Sequence, residues 1–136
     1  MFKLLLILFF ILNFCNLENL DNVRIFEISD KINNGNEFEV RKGEAFALKF
    51  YSNPSTGYSW YFLNKDEISD SLLFIKSNYV SLPSPKPIVG RGGYMYYYFK
   101  ALEVTNETQV LKFSYIKGGG KKQNLLPNHL VKINVY

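Results

Sequence analysis

Few residues in this chain could do covalent or metal chemistry, and they do not assemble. Its 136 residues hold one histidine, His129, and one cysteine, Cys15. A transition-metal centre needs several imidazole or thiolate ligands, so none can be built from this pair. A nucleophile–histidine–carboxylate triad would depend on His129 alone, and Ser55, Ser84 and Ser114 carry no flanking motif that marks a nucleophile. His129 reads as a surface residue at the edge of the last strand. Glu37 and Glu39 share one strand face, but Phe38 and Val40 then form the core face and leave both carboxylates in solvent. Neither they nor Asp66-Glu67 show the carboxylates spaced across a cleft that glycosidases need. Gly118-Gly119-Gly120-Lys121-Lys122 lacks the order of a phosphate-binding loop, and no helix follows it. No catalytic residue, metal or cofactor is expected: the chain is not an enzyme.

The stretch Asn53-Pro54-Ser55-Thr56-Gly57-Tyr58 is built for binding instead. Asn-Pro starts a turn, because proline fixes φ and pushes Asn53 toward extended backbone. Gly57 frees the backbone where the loop must bend back. Tyr58, Trp60 and Phe62 then alternate with Ser59, Tyr61 and Leu63, the period of a strand with two unlike faces. Trp60, just inside that strand, reads as a core anchor.

The elements that must hold this loop are strands. Val23–Ile28 and the Phe38/Val40 alternation come first, either side of the Asn33–Asn36 turn. Phe46, Leu48 and Phe50 lead into the loop, and Tyr58–Leu63 leads out. Asp66–Ser71 suits a short helical turn. Leu72–Val80, Tyr94–Leu102, Thr108–Ile116 and His129–Tyr136 complete the set, rich in aromatic and β-branched residues. Pro83, Pro85 and Pro87 forbid regular pairing between two of them, since each removes a backbone donor. Many short strands with frequent turns predict an all-β fold: an immunoglobulin-like sandwich of about seven strands, without disulfides, with binding loops at one end.

Residues 1–15 have the three-part pattern of a secretory signal peptide: a basic start at Lys3, an apolar run Leu4–Leu12, then polar residues. The run is shorter than the roughly 20 residues needed to cross a bilayer, so no stable membrane anchor remains after cleavage near Cys15-Asn16. That cut leaves no cysteine, which suits either secretion or a reducing, protease-rich compartment such as a lysosome or phagosome. Residues 16–36 form a lead-in with the first strand, and residues 37–136 the main domain. The net charge is +4 with charges interspersed. Arg91-Gly92-Gly93-Tyr94 with the tyrosines after it superficially resembles an RNA-binding strand, but the leader argues against a nucleic-acid partner. Asn106-Glu107-Thr108 is the one N-glycosylation sequon, in a turn between strands.

Asn53-Pro54-Ser55-Thr56-Gly57-Tyr58 resembles the signature loop of the chagasin-type (chagasin/amoebiasin) inhibitors of papain-like cysteine proteases. Gly90-Arg91-Gly92-Gly93 matches that family's second loop, in the right order and at a suitable distance. The third family loop, an Arg-Pro-aromatic step, is represented by Lys117-Gly118-Gly119. The resemblance spans roughly Glu37 to Tyr136. It implies a disulfide-free immunoglobulin-like sandwich, a monomer, and reversible inhibition of papain-like, cathepsin L-like proteases. It places the 53–58 loop at the catalytic cysteine, flanked by loops 90–93 and 117–127. Ser55, which stands where threonine is usual, and Thr56 would lie closest to the protease's cysteine–histidine pair. Gly90, Gly92 and Gly93 would allow close backbone approach along a cleft wall, and Arg91 would meet acidic residues on the rim. Lys117 in place of arginine, and glycines in place of the Pro-aromatic pair, predict weaker binding or a narrower set of targets. The alternative reading is a secreted, non-inhibitory immunoglobulin-like binding or adhesion module whose site lies on a sheet face.

Overall fold

The computed structural model describes residues 22–29, 36–86, 90–118 and 125–136. The expected signal segment, the Asn-Gly turn at 33–35, Pro87 and residues 119–124 of the third loop lie outside them. The strands are β1 (Arg24–Glu27), β2 (Asn36–Val40), β3 (Ala45–Ser52), β4 (Tyr58–Phe62), β5 (Leu72–Ser81), β6 (Gly93–Ala101), β7 (Gln109–Lys117) and β8 (His129–Val135). They form two four-stranded sheets, ordered β1-β3-β6-β5 and β2-β8-β7-β4. The expected all-β sandwich is borne out, with eight described strands where about seven were expected. The count rises because β1 and β2, each short, are both full members: β1 pairs in parallel with β3, and β2 in parallel with β8.

Alternation decides which faces meet. Phe46, Leu48 and Phe50 of β3 turn inward with Tyr97 and Phe99 of β6, against Leu111 and Phe113 of β7 and Val131 and Ile133 of β8, and all are buried. Ring packing joins the two sheets: Phe50 lies 4.8 Å from Phe113 and Phe62 lies 5.6 Å from Phe99, while Phe62 stacks on Phe113 within its own sheet at 4.7 Å. Each fully buried Phe or Leu is worth about 1.5–3 kcal/mol of transfer free energy. A core of this aromatic content is how the fold stands without a disulfide. Glu37 and Glu39 are exposed while Val40 is buried, as alternation predicts.

Two expectations need correction. The helical turn is a single 3-10 turn at Lys65–Glu67, and Ile68 is already extended, so nothing helical continues to Ser71. His129 is buried, at 7% exposure, rather than on the surface. Its ring meets Trp60 edge-on at 4.8 Å, and its Nδ1 lies 2.7 Å from Asn128 Oδ1. A polar ring is tolerated in an apolar interior when hydrogen bonding is provided locally.

The connections sort to opposite ends. The β3–β4, β5–β6 and β7–β8 loops share one end. The β2–β3, β4–β5 and β6–β7 turns share the other, tied by Gly43 N–H to Ala101 O (2.8 Å) and Leu102 N–H to Ser71 O (2.8 Å).

Candidate functional site

The β3–β4 loop is a closed turn. Pro54–Thr56 make one turn of 3-10 helix, and Gly57 ends it in the left-handed conformation (φ 81°, ψ 1°), its N–H bonded to Pro54 O at 3.0 Å. Glycine takes this backbone without the steric cost of a Cβ. The Asn53 carbonyl accepts from the Thr56 N–H (3.1 Å) and from Thr56 Oγ1 (2.6 Å). Ser55 Oγ donates to Asn53 Oδ1 at 2.6 Å. Pro54, Ser55, Thr56, Gly57 and Tyr58 are exposed; Asn53 is half-buried.

Asn53 therefore organises the site. Its Nδ2 donates to Gly90 O (3.0 Å), which ties the first loop to the second. Its backbone N–H donates to the Tyr115 hydroxyl (3.2 Å), which ties it to β7 at the root of the third. The Tyr115 ring is held between Trp60 (4.7 Å, stacked) and Tyr58 (5.5 Å). Trp60 is buried and donates Nε1–H to Tyr51 O at 2.8 Å, as expected of a core anchor.

In the second loop, Gly90 (φ 88°) and Arg91 are exposed, but Gly92 (φ 79°) and Gly93 are buried. A Cβ on Gly92 would meet the Tyr51 hydroxyl at 2.6 Å, and one on Gly93 would overlap Val80 O. This corrects their expected role: the close approach they allow is internal, against β3 and β5, and only Gly90 and Arg91 face outward. Beside them an open groove of about 460 Å³ runs between Pro54-Ser55, Arg91 and the Leu82–Lys86 segment.

The third loop leaves β7 where Lys117 pairs with Tyr58. Gly118 N–H donates to Gly57 O at 2.7 Å, and the Lys117 stem lies over Gly57. The loop returns through Leu126, which is 83% exposed. Asn128 then clamps the root: Oδ1 accepts from Tyr115 N–H (3.0 Å) and Nδ2 donates to Tyr115 O (3.1 Å). Gly119 lies outside the described residues. Sequence reading missed Tyr115 and Asn128, neither of which carried a local signal. Leu126 fell inside the expected 117–127 loop but was not singled out, although Leu125-Leu126 is an apolar pair in an otherwise polar stretch.

Thus Asn53 to Tyr58, Gly90, Arg91, Lys117 and Gly118 meet at one end. Asn106 is exposed at the other. Among the described residues no cluster could hold a metal ion, and no helix is long and apolar enough to cross a membrane.

The sequence pattern of the chagasin family peptidase inhibitor I42 matches residues 39–133. Chagasin of Trypanosoma cruzi is 32% identical over 65 residues, covering 46% of this chain and 57% of chagasin, so the match spans under two thirds of that relative. Three solved structures resemble the sandwich at identities that speak to fold alone. The cysteine protease inhibitor EhICP2 of Entamoeba histolytica gives a TM-score of 0.60 at 18% identity, over 84% of this chain and 96% of that one. Amebosin gives 0.57 at 22%, over 85% and 99%. PbICP-C, solved in complex with falcipain-2, gives 0.51 at 15%, over 83% and 99%.

Proposed function

The chain belongs to the chagasin family of peptidase inhibitors, and we propose that it reversibly inhibits papain-like cysteine proteases by lodging the Pro54–Thr56 turn in their catalytic cleft. The observation that carries this reading is the closure of that turn. A substrate must offer an extended backbone to be cut, whereas here both loop hydroxyls and the Gly57 N–H are spent on holding a 3-10 turn shut. Ordering a flexible side chain on binding costs about 0.5–1.5 kcal/mol. A loop already fixed to both neighbours avoids much of that cost. Ser55 and Thr56 at its exposed tip meet the protease's cysteine–histidine pair, Gly90 and Arg91 lie along one cleft wall, and Lys117 with Leu126 along the other. Blockade is steric, and no bond is made or broken.

The partner class is a cathepsin L-like endopeptidase engaged by a monomeric inhibitor. Residues 1–15 send the chain into the secretory route, toward secretion or a lysosomal or phagosomal destination. A glycan on Asn106 would leave the binding end free, since that turn lies opposite. Binding through a sheet face, as an adhesion module would use, has less support. Tyr94 and Tyr98 on the outer face are already covered by Lys49 Nζ (4.0 Å from the ring centre) and Lys76 Nζ (5.5 Å).

The test is titration of the secreted protein into papain and a cathepsin L, read by a fluorogenic peptide. Tight, reversible loss of activity, weakened by Thr56→Ala and more strongly by Gly57→Asp, is expected. Full protease activity at micromolar concentrations of folded protein would overturn the reading.

A further inference from the structure

One end of this molecule carries charge of a single sign. At the end that carries the three loops, Lys86, Arg91 and Lys117 are all exposed, and no described carboxylate accompanies them. Lys86 and Arg91 border the groove beside Pro54 and Ser55. Lys117 flanks the turn from the other side, its stem over Gly57. Among the described residues none of the three takes part in a salt bridge; the bridges there, Arg24–Glu44 and Lys49–Glu27, lie elsewhere. The described acids lie mostly toward the opposite end, where Arg24, Arg41, Lys42 and Lys65 stand among them and leave it mixed in charge. Glu39 and Glu44 bracket the β2–β3 turn, Asp66, Glu67 and Asp70 sit between β4 and β5, and Glu103 and Glu107 between β6 and β7. Glu37 pairs with Lys132, at the level of Val110 near that same end, and Glu27 is neutralised at mid-sheet by Lys49 at 3.6 Å.

Resting on the inhibitor reading, we propose that these three cations select and steer toward proteases whose cleft rims are acidic on both walls. The turn enters a cleft, so Arg91 and Lys86 come to one wall and Lys117 to the other. An exposed ion pair adds little affinity. A one-signed field around the docking surface acts on encounter instead, raising association rates by about 10- to 1,000-fold at low salt. Affinity then tracks rim charge through kon, while koff is left to the turn.

The experiment is stopped-flow association with a panel of papain-like proteases ranging from basic to acidic around the cleft, from about 0.02 to about 0.5 M ionic strength. Three proteins are compared: the unaltered chain, K86E/R91E/K117E, and R41E/K42E/K65E, which has the same net charge altered at the far end. For acidic-rim proteases kon of the unaltered chain falls at least about tenfold across the salt range, and at low salt it rises with rim acidity across the panel. At low salt the loop-end triple loses at least about tenfold in kon with koff within about twofold, and the far-end triple stays within about threefold. Thermal unfolding checks that the variants are folded; if a triple is not, R91E and K117E singly must each lower kon. A kon that ignores salt and rim charge, or equal loss in both triples, overturns the steering while leaving inhibition intact. No inhibition of any protease in the panel overturns the inhibitor reading, and the steering with it.

Discussion

The backbone N–H of Asn53 donates to the hydroxyl of Tyr115, 62 residues later in the chain, at 3.2 Å. One phenol thus connects the first loop to the strand that launches the third. Its backbone is gripped in turn by Asn128, beyond the third loop, so the roots of two loops form one rigid unit. Removing only the hydroxyl, in Tyr115→Phe, keeps the ring stack on Trp60 and frees the turn at Asn53. A net hydrogen bond is worth about 0.5–1.5 kcal/mol, so the inhibition constant should rise about 2- to 12-fold with little change in fold. Enzyme inhibition with near-UV circular dichroism checks both parts.

Gly92 and Gly93 should matter for stability more than for contact. Gly93→Ala drives a methyl into the backbone at Val80 and Ser81, and Gly92→Ala sets one against Tyr51 at positive φ. Each should cost about 1–3 kcal/mol or more in denaturant unfolding. Gly90→Ala meets only Ser55 Oγ, at 3.4 Å, and should cost about 1 kcal/mol of backbone strain. Equal, small losses at all three would contradict the internal role of the buried pair.

In the third loop, glycine at 118 has a use of its own. Its N–H reaches Gly57 O at 2.7 Å, a donor that proline would delete. Gly118→Pro is therefore expected to loosen the first loop and raise the inhibition constant several-fold, about the value of one hydrogen bond. Gly119→Trp supplies the aromatic contact that the family motif carries, and should tighten inhibition. Leu126→Asp should weaken it by about tenfold, the scale of a moderate interface hot spot. Inhibition constants for the three variants decide the matter.

Burial pushes the Tyr97 phenol up to about 12. The unfolded chain ionises this group near pH 10, the folded chain not until about 12. The unfolded state therefore binds fewer protons between these values, and stability falls as pH rises through that window. The stability is fully present below pH 10, and its loss at alkaline pH amounts to about 2–3 kcal/mol. Tyr97→Phe should remove this part of the alkaline loss, measured as unfolding free energy from pH 9 to 12.

The strands were legible because alternation and aromatic content act locally. Phe46, Leu48 and Phe50 announce a one-sided strand, and each is buried. The turn was legible for the same reason: Asn-Pro and glycine restrict or free φ within a few residues. Contacts made across the fold could not be read this way. Nothing near Tyr115 in the chain predicts its bond to Asn53, and Gly92 and Gly93 look like loop glycines until β3 and β5 close over them. His129 misled because its burial depends on Trp60, a residue on a strand far away in sequence. The 3-10 turn at Lys65–Glu67 ended early because Ile68 turns extended toward the core it packs against.

The most direct test of the account is calorimetric binding to one papain-like protease in two states, free and with its catalytic cysteine capped by a small peptidyl inhibitor filling the cleft. The account predicts tight one-to-one binding to the free protease, and loss of at least about 100-fold in affinity to the capped form, because the Pro54–Thr56 turn and the cap need the same space. Equal affinity for both states would place the contact outside the cleft and contradict it.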